Sequence, residues 1–222
     1  MDYLLLTLAL LPSISISFWL YKKDLHEKEE KRHLWWAFFL GILSVFVALL
    51  LDGAIGEPFG KAVWFKAFIA AGLIEEISKF LLFRTFIYKK DYFNEPYDGI
   101  IYCTLVSLGF ATFENLLYVF GEGGGYSVAI VRLLMAVPGH AIMGVIQGYY
   151  AGQAKFKQST GLLLMGLVLA ALFHGCYDYF LFQQAYPALA FVSVGLIYYG
   201  VKISKKAVKI HQDSSPFGGR IA

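Results

Sequence analysis

Long apolar runs that carry ionisable residues in their interior constrain this chain more than any other feature. About seven stretches are apolar enough to cross a bilayer: roughly Tyr3–Tyr21, Leu34–Leu51, Ala62–Ile87, Asp98–Phe120, Tyr126–Tyr150, Thr160–Phe182 and Tyr186–Ile203. About 20 residues at ~1.5 Å each cover the ~30 Å hydrocarbon layer. Hydrocarbon offers unpaired N–H and C=O groups no partner, so each stretch has to be helical. The expected fold is all-α, a polytopic transmembrane helix bundle forming a single integral membrane domain over residues 1–222. Composition agrees: 58% of the residues are hydrophobic and 16% charged, against about 45–50% and 25% in a soluble domain.

Charge sets the expected orientation. Apart from Lys61, Lys66, Lys79 and Arg132, every lysine and arginine lies at or beside alternate connections: after the first, third and fifth spans and in the C-terminal tail. Cytoplasmic connections collect such residues, so the N-terminus is expected outside and the C-terminus in the cytoplasm, with an odd number of crossings. The first span lacks a basic leader, since only Asp2 precedes it, and reads as a retained helix rather than a signal peptide. A net charge of +3, spread over several loops, gives no footing for nucleic acid. Cys103 and Cys176 lie inside apolar runs and read as small packing residues. Lys22 to His33 reads as a solvated helical extension, Lys66 as a snorkelling side chain, and Gly121–Gly125 as a flexible external turn without fixed structure.

The spans hold Glu75, Glu76, Lys79, Glu114, Arg132 and Asp178. Each charge at a helix centre costs about 2.5–3.5 kcal/mol on an insertion scale, so six exposed singly to lipid would cost on the order of 15–21 kcal/mol. They are expected to face one another or water. Counted from the span midpoints, Glu75 and His140 lie near mid-membrane, with His174 ~5 Å, Glu114 ~8 Å and Asp178 ~10 Å further out. One polar pocket between the third, fourth, fifth and sixth spans is the simplest geometry that accommodates them.

Local spacing adds detail. Lys79 stands four residues after Glu75 and three after Glu76, so it can neutralise either on one helix face. The two glutamates point about 100° apart, one free to face a reaction while the other braces a neighbour. Glu114 and Asn115 follow small residues that permit close helix approach, and Pro138-Gly139-His140 sets an imidazole after a helix break. Asp178, one turn beyond His174, is placed to take a ring N–H and fix the imidazole tautomer. Arg132 reads as structural, paired with an acid near the outer surface. Read singly, each of these groups also serves as an ordinary interhelical contact.

Taken in order, Glu75-Glu76-x-x-Lys79, Phe110-x-x-x-Glu114-Asn115, His140-x-x-x-Gly144 and His174-x-x-x-Asp178 resemble the PrsW family of bacterial intramembrane proteases, as do Tyr97-Asp98-Gly99-Ile100 and Ser107–Thr112. The resemblance covers nearly the whole chain. It implies a multi-pass protein of the bacterial cell membrane that makes the first, extracytoplasmic-side cut in a single-pass anti-sigma factor, releasing a sigma factor under envelope stress. The family is similar to the CAAX-processing and bacteriocin-immunity membrane proteases, in which a glutamate of the diacidic motif and a histidine activate water.

The expected chemistry is therefore amide hydrolysis. Glu75 or Glu76 acts as general base, Glu114 and His140 position the water, and His174, oriented by Asp178, serves the oxyanion and the leaving amine. No cofactor is favoured. Zinc is the alternative, because two imidazoles and a carboxylate suit a catalytic ion, although the short H-E-x-x-H helix is absent. A different class also fits intramembrane acids and histidines, a proton-coupled transporter, but the repeated halves common in transporters are not found.

Overall fold

The computed structural model describes residues 2–55 and 62–218. Seven helices run through them: α1 (Tyr3–Lys23), α2 (Lys31–Ile55), α3 (63–86), α4 (Pro96–Phe120), α5 (Tyr126–Phe156), α6 (Thr160–Leu181) and α7 (Ala190–Asp213). There is no strand among the described residues. Six of the helices are long and apolar enough to span a membrane. The seventh, α3, carries Lys66, Glu75, Glu76, Lys79 and Arg84, too much charge to cross unless most of it is turned inward.

Helix α4 is the hub. It is buried without a break from Pro96 to Thr112, as expected of a helix that is apolar on every face. Its start is fixed by a capping box in which Asp98 Oδ2 accepts from the Asn94 and Glu95 N–H groups at 2.7 and 2.8 Å, with Pro96 in the first turn. Glycines let its neighbours close on it. A Cβ on Gly144 of α5 would lie 2.6 Å from the Thr104 Cα, and one on Gly148 would lie 2.6 Å from the Ile100 Cα. Gly41 of α2 and Gly109 of α4 bring those two backbones together in the same way. Around this hub α5 packs on α6 and α6 on α3, which closes a ring about the polar residues.

Two stretches depart from α-helical winding. Lys66–Glu75 of α3 and Arg132–Ala136 of α5 are π-helical, a wide turn that is rare and often marks functional sites. In α5 the cause is local. Pro138 has no N–H to offer four residues back and its ring crowds that carbonyl, so the preceding turn widens.

Several sequence expectations change here. Lys22 to His33 is not a helical extension: the helix stops at Lys23, resumes at Lys31, and the chain between folds inward, burying Asp24 and Glu29. Helix α7 runs ten residues past its expected end at Ile203, because its polar last turns dock on this connection and on the start of α4; His211 Nδ1 lies 2.8 Å from the Pro96 carbonyl and His26 Nε2 lies 3.1 Å from that of Gln212. The glycine turn has a defined shape, with Gly123 and Gly125 at φ +77° and +107° and the Gly125 N–H on the Val119 carbonyl at 2.9 Å. Lys61, used in the charge argument, lies outside the described residues.

The buried connection has a pH signature. Burial, then the negative charge of Glu95, pushes the Asp24 carboxyl up to about 7, and burial raises Glu29 to about 7 as well. A carboxyl held above its ordinary value near 4 favours the fold while protonated. Its stabilisation is fully present below about pH 4 and lost as the pH rises towards 7. The melting temperature in detergent is expected to fall between pH 5 and pH 8. Asp24→Asn with Glu29→Gln should flatten that slope, as read by thermal unfolding at each pH.

Candidate active site

Helices α3, α4, α5 and α6 each deliver titratable groups to one level. The apparent stagger of 8–10 Å between Glu75 and the outer pair Glu114 and Asp178 closes for a simple reason. Side chains on a helix lean towards its N-terminus, and α3 and α5 run opposite to α4 and α6, so the two sets lean towards each other. All six residues singled out in the sequence lie in one connected cluster.

Its centre is the Lys79 ammonium, 1% exposed. Lys79 Nζ donates to Glu76 Oε1 at 2.7 Å and to His140 Nδ1 at 3.1 Å, and lies 3.6 Å from Glu75 Oε2. A lysine donor makes His140 Nδ1 the acceptor, so the other ring nitrogen carries the proton; it faces Glu114 Oε2 at 3.1 Å. His174 is held at both ends, with Nδ1 3.0 Å from Glu76 Oε1 and Nε2 3.3 Å from Asp178 Oδ2. The His140 and His174 rings meet edge to face at 5.2 Å. Phe110 closes one side, its ring centroid 4.3 Å from the Lys79 nitrogen.

The adjacent glutamates differ. The Glu76 side chain is 1% exposed and committed to Lys79 and His174. The Glu75 side chain is 16% exposed, and its Oε2 accepts no hydrogen bond among the described residues. Glu75 and Glu114 line a cleft of about 490 Å³ between α2, the π-helical part of α3 and α4, walled by Ala48, Ala71, Ile74 and Leu117 and carrying Asp52 and Lys66. The diacid thus divides into one group that braces the bundle and one that faces an open space.

Spacing did not reveal every partner. Arg132 reaches inward: its Nη2 donates to Glu114 Oε2 at 2.6 Å and its Nε to Asn115 Oδ1 at 2.8 Å, while Asn115 Nδ2 donates to the Ala9 carbonyl at 2.7 Å. Helix α1 is thereby tied to the cluster. Expecting Arg132 to pair with an acid was sound, but that acid belongs to the cluster. Asp178, the orienting partner of His174 that the spacing predicts, shares that role with Glu76. The Lys79–His140 contact crosses between helices 61 residues apart in sequence, and no local spacing signals it.

The cluster also offers a donor set for a metal. One donor atom from each of Glu75, His140 and His174 lies within 4.8 Å of the others. Glu75 Oε2 is a buried oxygen without a hydrogen-bond donor among the described residues. Two imidazoles with a carboxylate are a catalytic zinc set, and Glu76 on His174 Nδ1 is the outer carboxylate such a ligand ordinarily carries. The set fits, on the condition that His140 releases Lys79 or Glu114 and that His174 Nε2 releases Asp178.

Fold and cluster together define a multi-pass membrane protein with an acid–imidazole site set among its helices and bordering a cleft. The family profile described as "PrsW family intramembrane metalloprotease" matches residues 29–203. Protease PrsW of Bacillus subtilis (strain 168) is 35% identical over 216 residues, covering 94% of this chain and 98% of the relative. The Protease PrsW of Geobacillus kaustophilus (strain HTA426) is 36% identical over 188 residues, 81% of this chain and 80% of the relative. That of Clostridioides difficile (strain 630) is 28% identical over 229 residues, 98% and 96% of the two chains. No solved structure matches the chain. The chain belongs to the PrsW family and is a membrane protease.

Arg132→Gln leaves Glu114 without its guanidinium and is expected to destabilise the protein by about 1.5–3 kcal/mol, the range for a hydrogen bond to a charged group. Adding Glu114→Gln should recover part of that loss, since the uncompensated charge goes with it. Denaturation midpoints of the wild type, both single variants and the double variant complete the cycle.

Proposed function

We propose that the chain is an intramembrane endopeptidase that cuts a single-pass anti-sigma factor on its extracytoplasmic side, with the N-terminus outside and the C-terminus in the cytoplasm. The observation that carries this is Glu75: its side chain lines the cleft beside two oriented imidazoles, and its buried Oε2 has no hydrogen-bond donor among the described residues.

In this reading Glu75 takes the proton from a water held in the cleft. Glu114 and His140 position that water, the imidazole fixed by Lys79 on one nitrogen and the carboxylate on the other. His174, held between Glu76 and Asp178, stabilises the developing oxyanion and protonates the leaving amine. Hydrolysis balances: the water oxygen bonds to the carbonyl carbon and the C–N bond breaks; the proton taken by Glu75 replaces, through the cluster, the one His174 gives the amine, and the second water proton leaves with the new carboxyl group. The apolar walls of the cleft suit an unwound, juxtamembrane stretch of a substrate helix. Membership among proteases favours this reading over a proton-coupled transporter.

The family description and the donor set support a second form of the same site. A zinc held by Glu75, His140 and His174 would supply a water acidified to a pKa of about 7. This form predicts that His174→Ala lowers the zinc content of the purified protein together with its activity. A zinc content independent of His174 removes it.

The central test is cleavage of a candidate anti-sigma factor co-reconstituted in liposomes. Glu75→Gln should reduce the rate by about 10²–10⁴, the span of a general base, with the melting temperature near that of the wild type. Glu76→Gln should lose activity and stability together, because it strips a partner from a buried ammonium. Cleavage that persists in both variants contradicts the proposal.

A further inference from the structure

A second concavity, of about 400 Å³, lies towards the opposite end of α2 from the cleft. Its walls are Ile14 and Phe18 of α1, Leu34 and Phe38 of α2, and Ile101 and Leu105 of α4. The volume is within the ~300–1,000 Å³ range of ligand sites. One end is basic. Lys31 lines it directly. The Lys22 ammonium stands 4.9 Å from the Phe18 ring centroid, and Lys28 stands 4.7 Å from that of Tyr21 while donating to the Tyr21 carbonyl at 3.2 Å. None of the three forms an ion pair among the described residues. Lys31 is the first residue of α2, and the carboxylate of Glu30 just before it is taken by Arg32 at 2.7 Å. Ser17 Oγ, on the groove wall, has no hydrogen-bond partner among the described residues.

We infer that this groove is a binding site for an anionic phospholipid, one acyl chain lying between α1, α2 and α4 and the headgroup phosphate meeting Lys22, Lys28 and Lys31. Charge complementarity selects this occupant. An apolar channel alone accepts any chain, but three ammonium groups gathered at its end discriminate by headgroup, each contributing attraction to an anionic surface. The site does not touch the acid–imidazole cluster, so it stands whether or not the proposed hydrolysis is right.

Trp35, also on the groove wall and 72% exposed, gives a direct readout. In a variant with Trp19→Phe, Trp36→Phe and Trp64→Phe it is the sole tryptophan of the four. Its fluorescence is measured in vesicles containing brominated phosphatidylglycerol or brominated phosphatidylcholine at equal mole fraction. Phosphatidylglycerol is expected to bind about fivefold or more tightly, as even one well-placed lysine would give. Lys22→Gln, Lys28→Gln and Lys31→Gln together should bring the ratio to one while quenching by phosphatidylcholine stays the same, which also shows that the groove remains formed. A ratio near one in the unsubstituted groove, or a preference that survives the triple substitution, overturns the inference.

Discussion

The bundle is organised about a single buried ammonium. Lys79 touches Glu76, Glu75 and His140 with almost no access to solvent, and without it two adjacent carboxylates would sit uncompensated in a low-dielectric interior. From Lys79 the contacts run in two directions: through His140, Glu114, Arg132 and Asn115 to the Ala9 carbonyl, and through Glu76 and His174 to Asp178. Five helices are joined by this chain. Removing one link leaves a buried partner unsatisfied, so the network fixes helix rotation as well as charge.

That fixation accounts for the division between the glutamates. Glu76 is buried and neutralised by Lys79 of its own helix, and its contact with His174 holds α3 against α6. Glu75, one residue earlier, ends the π-helical segment and turns towards the cleft. A change of winding between adjacent residues gives the two acids different surroundings with no difference in residue type. The widened turn before Pro138 lies on the other side of the cluster, where Arg132 enters.

Much of this was legible in the sequence, for reasons that are local. The apolar runs gave the helices, since a membrane leaves no other backbone solution. The i,i+3 and i,i+4 spacings gave Lys79 with Glu75 and Glu76, and His174 with Asp178, because those pairs share one helix face whatever the bundle does. Contacts between helices were not legible. Lys79 with His140, Glu76 with His174 and Arg132 with Glu114 depend on how each helix is rotated, which is set by glycine contacts such as Gly144 on Thr104 and by π-helical turns that no periodicity announces. The Asp24–Glu30 connection folds inward where the sequence predicts solvated helix, because a run of charges carries no sign that Tyr102 and the end of α7 cover it.

The most direct measurement is an experimental structure of the Glu75→Gln variant bound to a single-pass substrate. The account predicts an unwound substrate segment in the cleft between α2 and α3, its scissile carbonyl within reach of His174, and a water about 3 Å from both that carbonyl carbon and residue 75. A substrate seated away from this cleft, with Glu75 and His174 out of reach of any peptide bond, would contradict it.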